Sequence, residues 1–315
     1  MDAGSEMTNK TLELAYFIRL VEQFISMKVK SGEMPMPVHL SIGQETVSVA
    51  VCESLNKDED YIWGSYRSHG IYIARTSDLV GLFAEILGKE GGCSGGRGGS
   101  MHIISPKYKI LGTSGIVGSH ISNAVGFSYG QKMLAKRGIT CVIFGDGATD
   151  AGTFYDSINI ALLRKTPTLF LLENNDLAIR TPSRLRQHET GFSKKVEAFG
   201  LRVTETGPRM ESMIRDIKLA RDRILTQGLP EMIKLDTIRW HQHLGSEYEL
   251  NQSYRDFNNE KEILKNDEIN IWLGSMPLSE REDLSDRLKM VINDAWQAVE
   301  AMQYPNLSTI YDYAR

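Results

Sequence analysis

The chain has 315 residues, of which 41% are hydrophobic and 24% charged, and its formal net charge at pH 7 is −4. This balance excludes the strongly basic surface that non-specific nucleic-acid binding requires, and no apolar run approaches the roughly 18 residues of a membrane-spanning helix. Three scattered cysteines and an acidic start without an apolar stretch predict neither a disulfide framework nor a signal peptide. We therefore expect a cytoplasmic globular protein.

Helical and strand patterns alternate along the chain. Apolar residues recur at helical spacing from Leu14 to Ile25, and further helices are predicted at residues 45–55, 78–87 and 210–225. Short apolar runs predict strands at residues 140–144, 168–172, 201–205 and 232–238. A last helix is predicted to begin with a capping box formed by Ser279 and Glu282. We expect residues 1–270 to form one α/β domain, with 271–315 as its helical extension.

A glycine-rich stretch, GGCSGGRGGS, occupies residues 91–100, and glycines recur at positions 112, 115, 118, 126 and 130. Glycine at this density is typical of turns, of close backbone approaches or of a flexible linker. The histidines and the tyrosine–arginine pair on either side favour a functional site over a linker. Residues 92–96 also fit G-x-S-x-G, the nucleophile elbow of hydrolases, but the preceding residues predict a helix where that elbow needs a strand.

Two polar strand ends form the most informative pattern in the middle of the chain. Asp146 follows the predicted strand 140–144 within Gly145-Asp146-Gly147, and Asn175 follows the strand 168–172. A helix between the two strands makes them parallel neighbours, so both residues should meet at one sheet edge, where open α/β sheets bind ligands. Carboxylate and amide oxygens suit Mg²⁺, and main-chain amides after Asp146 suit a diphosphate. The alternative is a tight turn capped by its own aspartate.

Five short motifs in a fixed order resemble those of the alpha subunits of thiamin diphosphate-dependent 2-oxo acid dehydrogenases and acetoin dehydrogenases. In chain order they are residues 39–45 (HLSIGQE), 65–70 (SYRSHG), 98–102 (GGSMH), 115–118 (GIVG) and, after GDG at 145–147, residues 173–175 (ENN). The resemblance extends from about residue 10 to the end. It implies the thiamin diphosphate-binding fold: an α/β structure with a mainly parallel sheet and helices on both faces.

The resemblance also implies a role for each matching residue. Mg²⁺ would be bound by Asp146, Asn175 and the main-chain carbonyl of Leu177. The residues that would hold the cofactor are Tyr66, Arg67, Gly115, Val117, Asp146, Gly147, Ala148 and Asn175. His39 and His243 resemble the active-site histidines of the family, a role that histidines titrating near pH 7 can fill. Leu177 stands where the family frequently has a tyrosine. This change does not affect a main-chain carbonyl ligand, because such a ligand does not depend on the side chain.

The same resemblance implies that the active site is shared. The glutamate that acts on the pyrimidine ring of the cofactor has no counterpart in this chain, because in such enzymes it comes from the beta subunit. We therefore expect an α₂β₂ heterotetramer that acts on a small 2-oxo acid, such as pyruvate or a branched-chain 2-oxo acid, or that cleaves the hydroxyketone acetoin. A lipoyl acyltransferase would be the acceptor, although the loop after His243 departs from the usual pattern.

Two other functions remain open from the sequence. One is a thiamin diphosphate-dependent decarboxylase or carboligase without a lipoyl acceptor, which the altered loop after His243 favours. The other is a scaffold subunit without activity, against which the intact Asp146, Asn175, Tyr66 and Arg67 argue. A basic stretch, residues 180–195, has no assigned role: it could be a phosphate-side or partner-docking loop, or a solvated basic loop.

Overall fold

The computed structural model describes residues 3–188, 191–250, 252, 254 and 260–309. The helices of this part are α1 (Ala3–Lys30), α2 (Glu45–Ser54), α3 (His69–Thr76), α4 (Leu79–Ile86), α5 (Ser119–Met133), α6 (Gly152–Arg164), α7 (Phe192–Glu197), α8 (Met210–Gln227), α9 (Glu260–Asn266), α10 (Glu268–Gly274) and α11 (Leu278–Glu300). Its strands are β1 (Tyr61–Ser65), β2 (Ile110–Ser114), β3 (Thr140–Gly145), β4 (Thr168–Asn174), β5 (Leu177–Ala178), β6 (Thr181–Pro182), β7 (Arg202–Thr206) and β8 (Glu231–Asp236).

Six of the described strands form one parallel sheet in the order β2-β1-β3-β4-β8-β7. The predicted pair, β3 and β4, lies at its centre in register from Thr140 opposite Thr168 to Gly145 opposite Glu173. Because all six strands run the same way, their carboxyl ends form a single edge. The predicted α/β fold with a parallel sheet is therefore confirmed. The small β5–β6 hairpin is antiparallel and lies just beyond the end of β4.

Helices cover both faces of the sheet, and each face has its own apolar core. Along β3, Cys141 and Ile143 point into the core that contains α1, α2 and α8, whereas Val142 and Phe144 point into the core that contains α5 and α6. Strands that are buried on both faces have continuous apolar sequences, and for this reason the central strands can be recognised from the sequence. The last long helix, α11, also belongs to the larger core through residues such as Trp296.

Several elements differ from the sequence-based expectations. Strands β1 and β2 and helix α5 were not anticipated, because glycines within them resemble loop signals. Gly112 in β2 shows the reason: a β-carbon there would lie 3.3 Å from the Trp63 ring, so the glycine provides close packing within a strand. The predicted capping box is wrong. Helix α11 begins at Leu278 after Pro277, no side chain caps it, and Ser279 lies inside its first turn.

The structure also excludes one of the alternatives that the sequence offered. Ser94 follows helix α4 rather than a strand, and its hydroxyl donates to the carbonyl of Ile104, so the hydrolase elbow is excluded. In the part of the chain that the structure describes, no helix has the length and apolar character needed to cross a membrane.

Candidate functional site

The carboxyl edge of the sheet collects the predicted site residues. Tyr66 and Arg67 follow β1, Val117 follows β2, Asp146 follows β3 and Asn175 follows β4. Their side chains line one cavity of about 240 Å³. The residues around it are Ser65, Tyr66, Arg67, Val117, Gly118, His120, Gly145, Asp146, Gly147, Ala148, Glu173, Asn175, Leu177, Ala178, Ile179, Arg239 and His243. The two polar strand ends that the sequence singled out therefore face a shared space.

A larger cavity of about 720 Å³ is lined by Asn175 together with residues such as Asp236 and Trp240. It contains neither Asp146 nor the tyrosine–arginine pair. Two of its carboxylates have other partners: Asp267 binds Arg19, and Glu268 accepts the main-chain N–H of Met210. We therefore place the site in the smaller cavity, where the chemically matched residues converge.

Asp146 begins a short 3₁₀ helix, Asp146–Asp150, that closes the end of β3. The Thr149 hydroxyl donates to the Asp146 carbonyl at 2.7 Å, which stabilises this turn. Only 6% of Asp146 is exposed. Burial raises the pKa of Asp146, and the neighbouring Arg186 guanidinium opposes that effect by stabilising the carboxylate. A buried carboxylate of this kind gains from a cation within reach.

Asn175 is fixed by hydrogen bonds on both sides of its amide. Its Oδ1 accepts the main-chain N–H of Leu177 at 3.2 Å, and its Nδ2 donates to Gln44 Oε1 at 3.2 Å. The chain then turns sharply at Asp176, where φ is +63°. This turn starts the β5–β6 hairpin and brings Ala178 against Gly147, where an added β-carbon would lie 3.1 Å from the Ala178 β-carbon. Gly147 therefore allows the two strand ends to approach each other.

The donors at this point match the chemistry of a hard divalent cation. A carboxylate, a side-chain amide oxygen and a main-chain carbonyl are available from Asp146, Asn175 and Leu177, which all line the cavity. Among the residues that the structure describes, no three His, Cys, Asp or Glu side chains cluster as metal ligands. The predicted set does not depend on such a cluster, because only Asp146 is of those residue types.

Arg67 joins the two histidine-bearing segments beside the cavity. Its Nη1 donates to the Leu40 carbonyl, next to His39, and its Nη2 donates to the His243 carbonyl at 3.0 Å. Arg67 is 7% exposed and lines the cavity. Because an arginine carries five N–H donors, these two bonds leave others for a phosphate group. Arg67 can therefore bind an anion and position the histidine segments together.

His39, Tyr66 and His243 form a compact aromatic cluster. The ring centroids are 4.3 Å apart for His39 and Tyr66, 5.1 Å for His39 and His243, and 5.4 Å for Tyr66 and His243. His39 and His243 are 204 residues apart in the chain, and the bridge between His39 and Gly245 aligns their segments. Tyr66 and His243 line the cavity, and His39 packs behind them. The structure thus brings both predicted histidines together.

Both histidines are uncharged at pH 7, in contrast to the expectation of groups that titrate near neutrality. Burial lowers the pKa of His39 to about 3, with help from the Arg67 charge. Burial, Arg67 and Arg239 lower the pKa of His243 to about 4. Neutral imidazoles donate or accept hydrogen bonds without acting as strong acids. We expect them to bind polar oxygens rather than to supply a charge.

This assignment predicts a pH-dependent stability. The unfolded chain takes up a proton on His243 near pH 6.5, whereas the folded protein does so only near 4, so the favourable contribution exists above 6.5 and disappears as the pH falls toward 4. Urea unfolding should therefore show that wild type loses more stability between pH 6.5 and 4 than His243→Asn. An equal loss in both proteins would contradict the lowered pKa. His188→Asn, at an exposed position, is the control.

Residues 14–308 match the family model of the dehydrogenase E1 component. The chain belongs to this E1 family. It is 30% identical over 310 residues to the alpha subunit of the acetoin:2,6-dichlorophenolindophenol oxidoreductase of Bacillus subtilis, covering 96% of this chain and 91% of that protein. It is 28% identical over 306 residues to the pyruvate dehydrogenase E1 alpha subunit of Rickettsia bellii (96% and 94%) and over 277 residues to that of Zymomonas mobilis (87% and 78%).

The predicted family and enzyme class are therefore confirmed. The chain is an E1-type alpha subunit, and its family implies thiamin diphosphate as the cofactor. Alpha subunits of the E1 family normally pair with a beta subunit.

The structure also places site residues to which the sequence gave no role. Gln44 and Glu173 belong to motifs that support the resemblance, but only the fold shows Gln44 bound to Asn175 and Glu173 lining the cavity. Burial raises the pKa of Glu173 to about 7. Arg239 is 1% exposed and connects Ile179 to Glu249. Gly115 is not among the cavity residues: a β-carbon there would lie 3.6 Å from His102 Nε2.

Proposed function

We propose that this E1 alpha subunit binds thiamin diphosphate through Mg²⁺ and acts on a small 2-oxo acid, such as pyruvate, or on acetoin. The observation that carries the proposal is the convergence of Asp146 and Asn175 on one cavity with Tyr66, Arg67 and His243. The names of the relatives support both substrates, one acetoin enzyme and several pyruvate enzymes. Transfer of the acyl product to a lipoyl carrier is part of the proposal.

Different residues would bind different parts of the cofactor. Asp146, the Asn175 side chain and the Leu177 carbonyl would hold Mg²⁺. Tyr66 and Arg67, with main-chain amides of Gly147 and Ala148, would hold the diphosphate. Main-chain groups of Val117, which lines the cavity, and of Gly115, two residues before it, would contact the aminopyrimidine ring. Thiamin diphosphate, when bound, supplies the carbanion chemistry that cleaves a bond next to a carbonyl group.

The aromatic cluster would then orient the substrate. His243 lies at the cavity wall with an uncharged imidazole, so its N–H can donate to a keto or carboxylate oxygen. His39 packs against His243 and would hold its ring in place or donate in turn. Arg67 fixes the main chain on both sides of this pair. These contacts support hydrogen-bond donation to a substrate oxygen by His243, with His39 behind it as a support or a second donor.

A beta subunit would complete the active site in an α₂β₂ assembly. The mouth of the cavity is apolar: Val117 (47% exposed) and Ile179 (59%) line the cavity, and Ile116 (72%) precedes Val117 in the chain. Exposed apolar residues beside a binding site are typical of surfaces that another chain covers. Their position beside the proposed pyrimidine site supports a partner at the point where the missing glutamate is needed.

Two further parts of the proposal concern the chain as a whole. We propose that residues 1–270 and 271–315 form one domain with a helical extension, since α1 and α11 share one apolar core. A cytoplasmic location is supported by three cysteines without a disulfide, of which Cys52 and Cys141 are buried.

Calorimetry tests the cofactor proposal directly. Titration of the full chain with thiamin diphosphate should show binding in the presence of Mg²⁺ and a loss of at least about tenfold in affinity with chelator, because the cation links the protein carboxylate to the diphosphate. Thiamin, which lacks the diphosphate, is the matched control ligand and should not respond to Mg²⁺. Equal binding of thiamin diphosphate with and without the cation would contradict the proposal.

A further inference from the structure

Arg186 differs from the neighbouring arginines of the basic stretch 180–195. Its side chain is 12% exposed, whereas Arg180 and Arg184 lie at exposed positions. It sits between the β5–β6 hairpin and the turn that follows β3. The stretch to which the sequence assigned no role therefore contains one arginine directed at the proposed cation site.

The guanidinium of Arg186 contacts both ends of the 3₁₀ helix Asp146–Asp150. Its Nη2 donates to Asp146 Oδ2, and its Nη1 donates to Asp150 Oδ2. Its Nε donates to the Thr181 carbonyl at 3.1 Å. One planar group thus joins the strand end that carries Asp146 to the hairpin that begins with Leu177.

The adjacent residue strengthens the same connection. Gln187 Nε2 donates to Thr149 Oγ1 at 3.2 Å and to Asp150 Oδ1. Lys195 Nζ in turn donates to Gln187 Oε1 at 2.6 Å. The contact of Arg186 with the turn is therefore one of several that hold residues 181–187 against it.

These contacts leave part of the Asp146 carboxylate available. Arg186 binds Oδ2, so Oδ1 remains as a possible ligand atom. Asp150 and the Thr181 carbonyl hold the guanidinium independently of Asp146. A cation could therefore bind Asp146 without displacing Arg186, and Asp150 supplies the compensating negative charge for the arginine.

We infer that Arg186 is a positioning residue that fixes the Asp146 carboxylate for the divalent cation and ties its turn to the hairpin carrying Leu177. The inference rests on the proposed cation site. Groups that hydrogen-bond a ligating carboxylate set its orientation, and their loss typically weakens metal binding by about 10–100-fold. The opposite role, competition between Arg186 and the cation for Asp146, gives the opposite result.

Mn²⁺ binding to the full chain, followed by electron paramagnetic resonance, separates these roles. Arg186→Gln should weaken Mn²⁺ binding by about 10–100-fold. Arg186→Lys should recover part of the affinity, because it keeps the charge but loses the planar fork that spans two carboxylates. Arg184→Gln, which removes the same charge from a nearby exposed position, should bind Mn²⁺ as wild type does.

A second variant distinguishes a positioning role of Arg186 from a folding defect of the Arg186→Gln protein. Asp150→Asn leaves Asp146 and Arg186 intact but weakens the anchor of the guanidinium, so it should lower Mn²⁺ affinity in the same direction by a smaller factor. Arg186→Gln with wild-type melting temperature and unchanged or tighter Mn²⁺ binding would overturn the inference. Wild type without measurable Mn²⁺ binding would instead overturn the proposed cation site, so the two failures are distinguishable.

Discussion

Asp146→Asn is expected to weaken Mg²⁺-dependent binding of thiamin diphosphate by roughly 100-fold or more, because it removes the only carboxylate of the proposed ligand set; even outer-shell partners change metal affinity by about 10–100-fold. The substitution keeps the shape of the side chain. It also removes one of the two carboxylate partners of Arg186, but Asp150 and the Thr181 carbonyl still hold that guanidinium. Calorimetric titration of the variant with thiamin diphosphate and Mg²⁺ measures the effect.

The control for this substitution is Asp156→Asn, which makes the same chemical change at an exposed position of α6. Its cofactor affinity should equal that of wild type. If Asp146→Asn also retained wild-type affinity while its melting temperature was unchanged, the carboxylate would have no role in binding the cation. The assignment of Asn175 and Leu177 as ligands would then lose its support as well.

The second large effect concerns the partner chain. The purified chain with thiamin diphosphate and Mg²⁺ should turn over 2-oxo acid or acetoin at least about 100-fold more slowly than the same chain mixed with its beta subunit, because a missing acid–base group typically costs 10²–10⁴-fold. The carboxylates that line the cavity are Asp146, at the proposed cation site, and Glu173, beside Arg67. Neither occupies the exposed apolar mouth formed by Ile116 and Val117. Reduction of dichlorophenolindophenol follows turnover without a lipoyl carrier.

The apolar mouth offers a matched test of the same partner. Val117→Asp would place a charge where the beta subunit is expected to cover the surface, so it should reduce assembly in analytical ultracentrifugation. Leu163→Asp changes an equally apolar, 70% exposed residue on α6 and serves as the comparison. Full activity of the single chain would contradict the shared active site, whatever the result for assembly.

The sequence could predict the centre of the fold because parallel strands have a simple pattern. The runs at β3 and β4 are apolar on both faces, and a helix between parallel strands has one common handedness. From these two facts the convergence of Asp146 and Asn175 followed. Strand β2 was harder to predict, since Gly112, which packs against Trp63, resembles a loop glycine in the sequence.

Side-chain contacts across long separations could not be read from the sequence. Arg186 reaches Asp146, 40 residues earlier, after the chain turns at Asp176, where φ is +63°, and passes through the β5–β6 hairpin. The lowered pKa of His39 depends on burial and on Arg67, which the fold alone supplies. The capping-box pattern at Ser279 failed because Pro277 already determines where α11 begins.

The most direct test of the central claim is a crystal structure of the chain with thiamin diphosphate and Mn²⁺, with diffraction recorded at the manganese absorption edge. Anomalous scattering locates the cation without reference to the protein. The account predicts a peak in contact with the Asp146 carboxylate, the Asn175 amide oxygen and the Leu177 carbonyl, beside the diphosphate. A peak in the other cavity, near Asp236, or an ordered cofactor without a cation at Asp146 would contradict it.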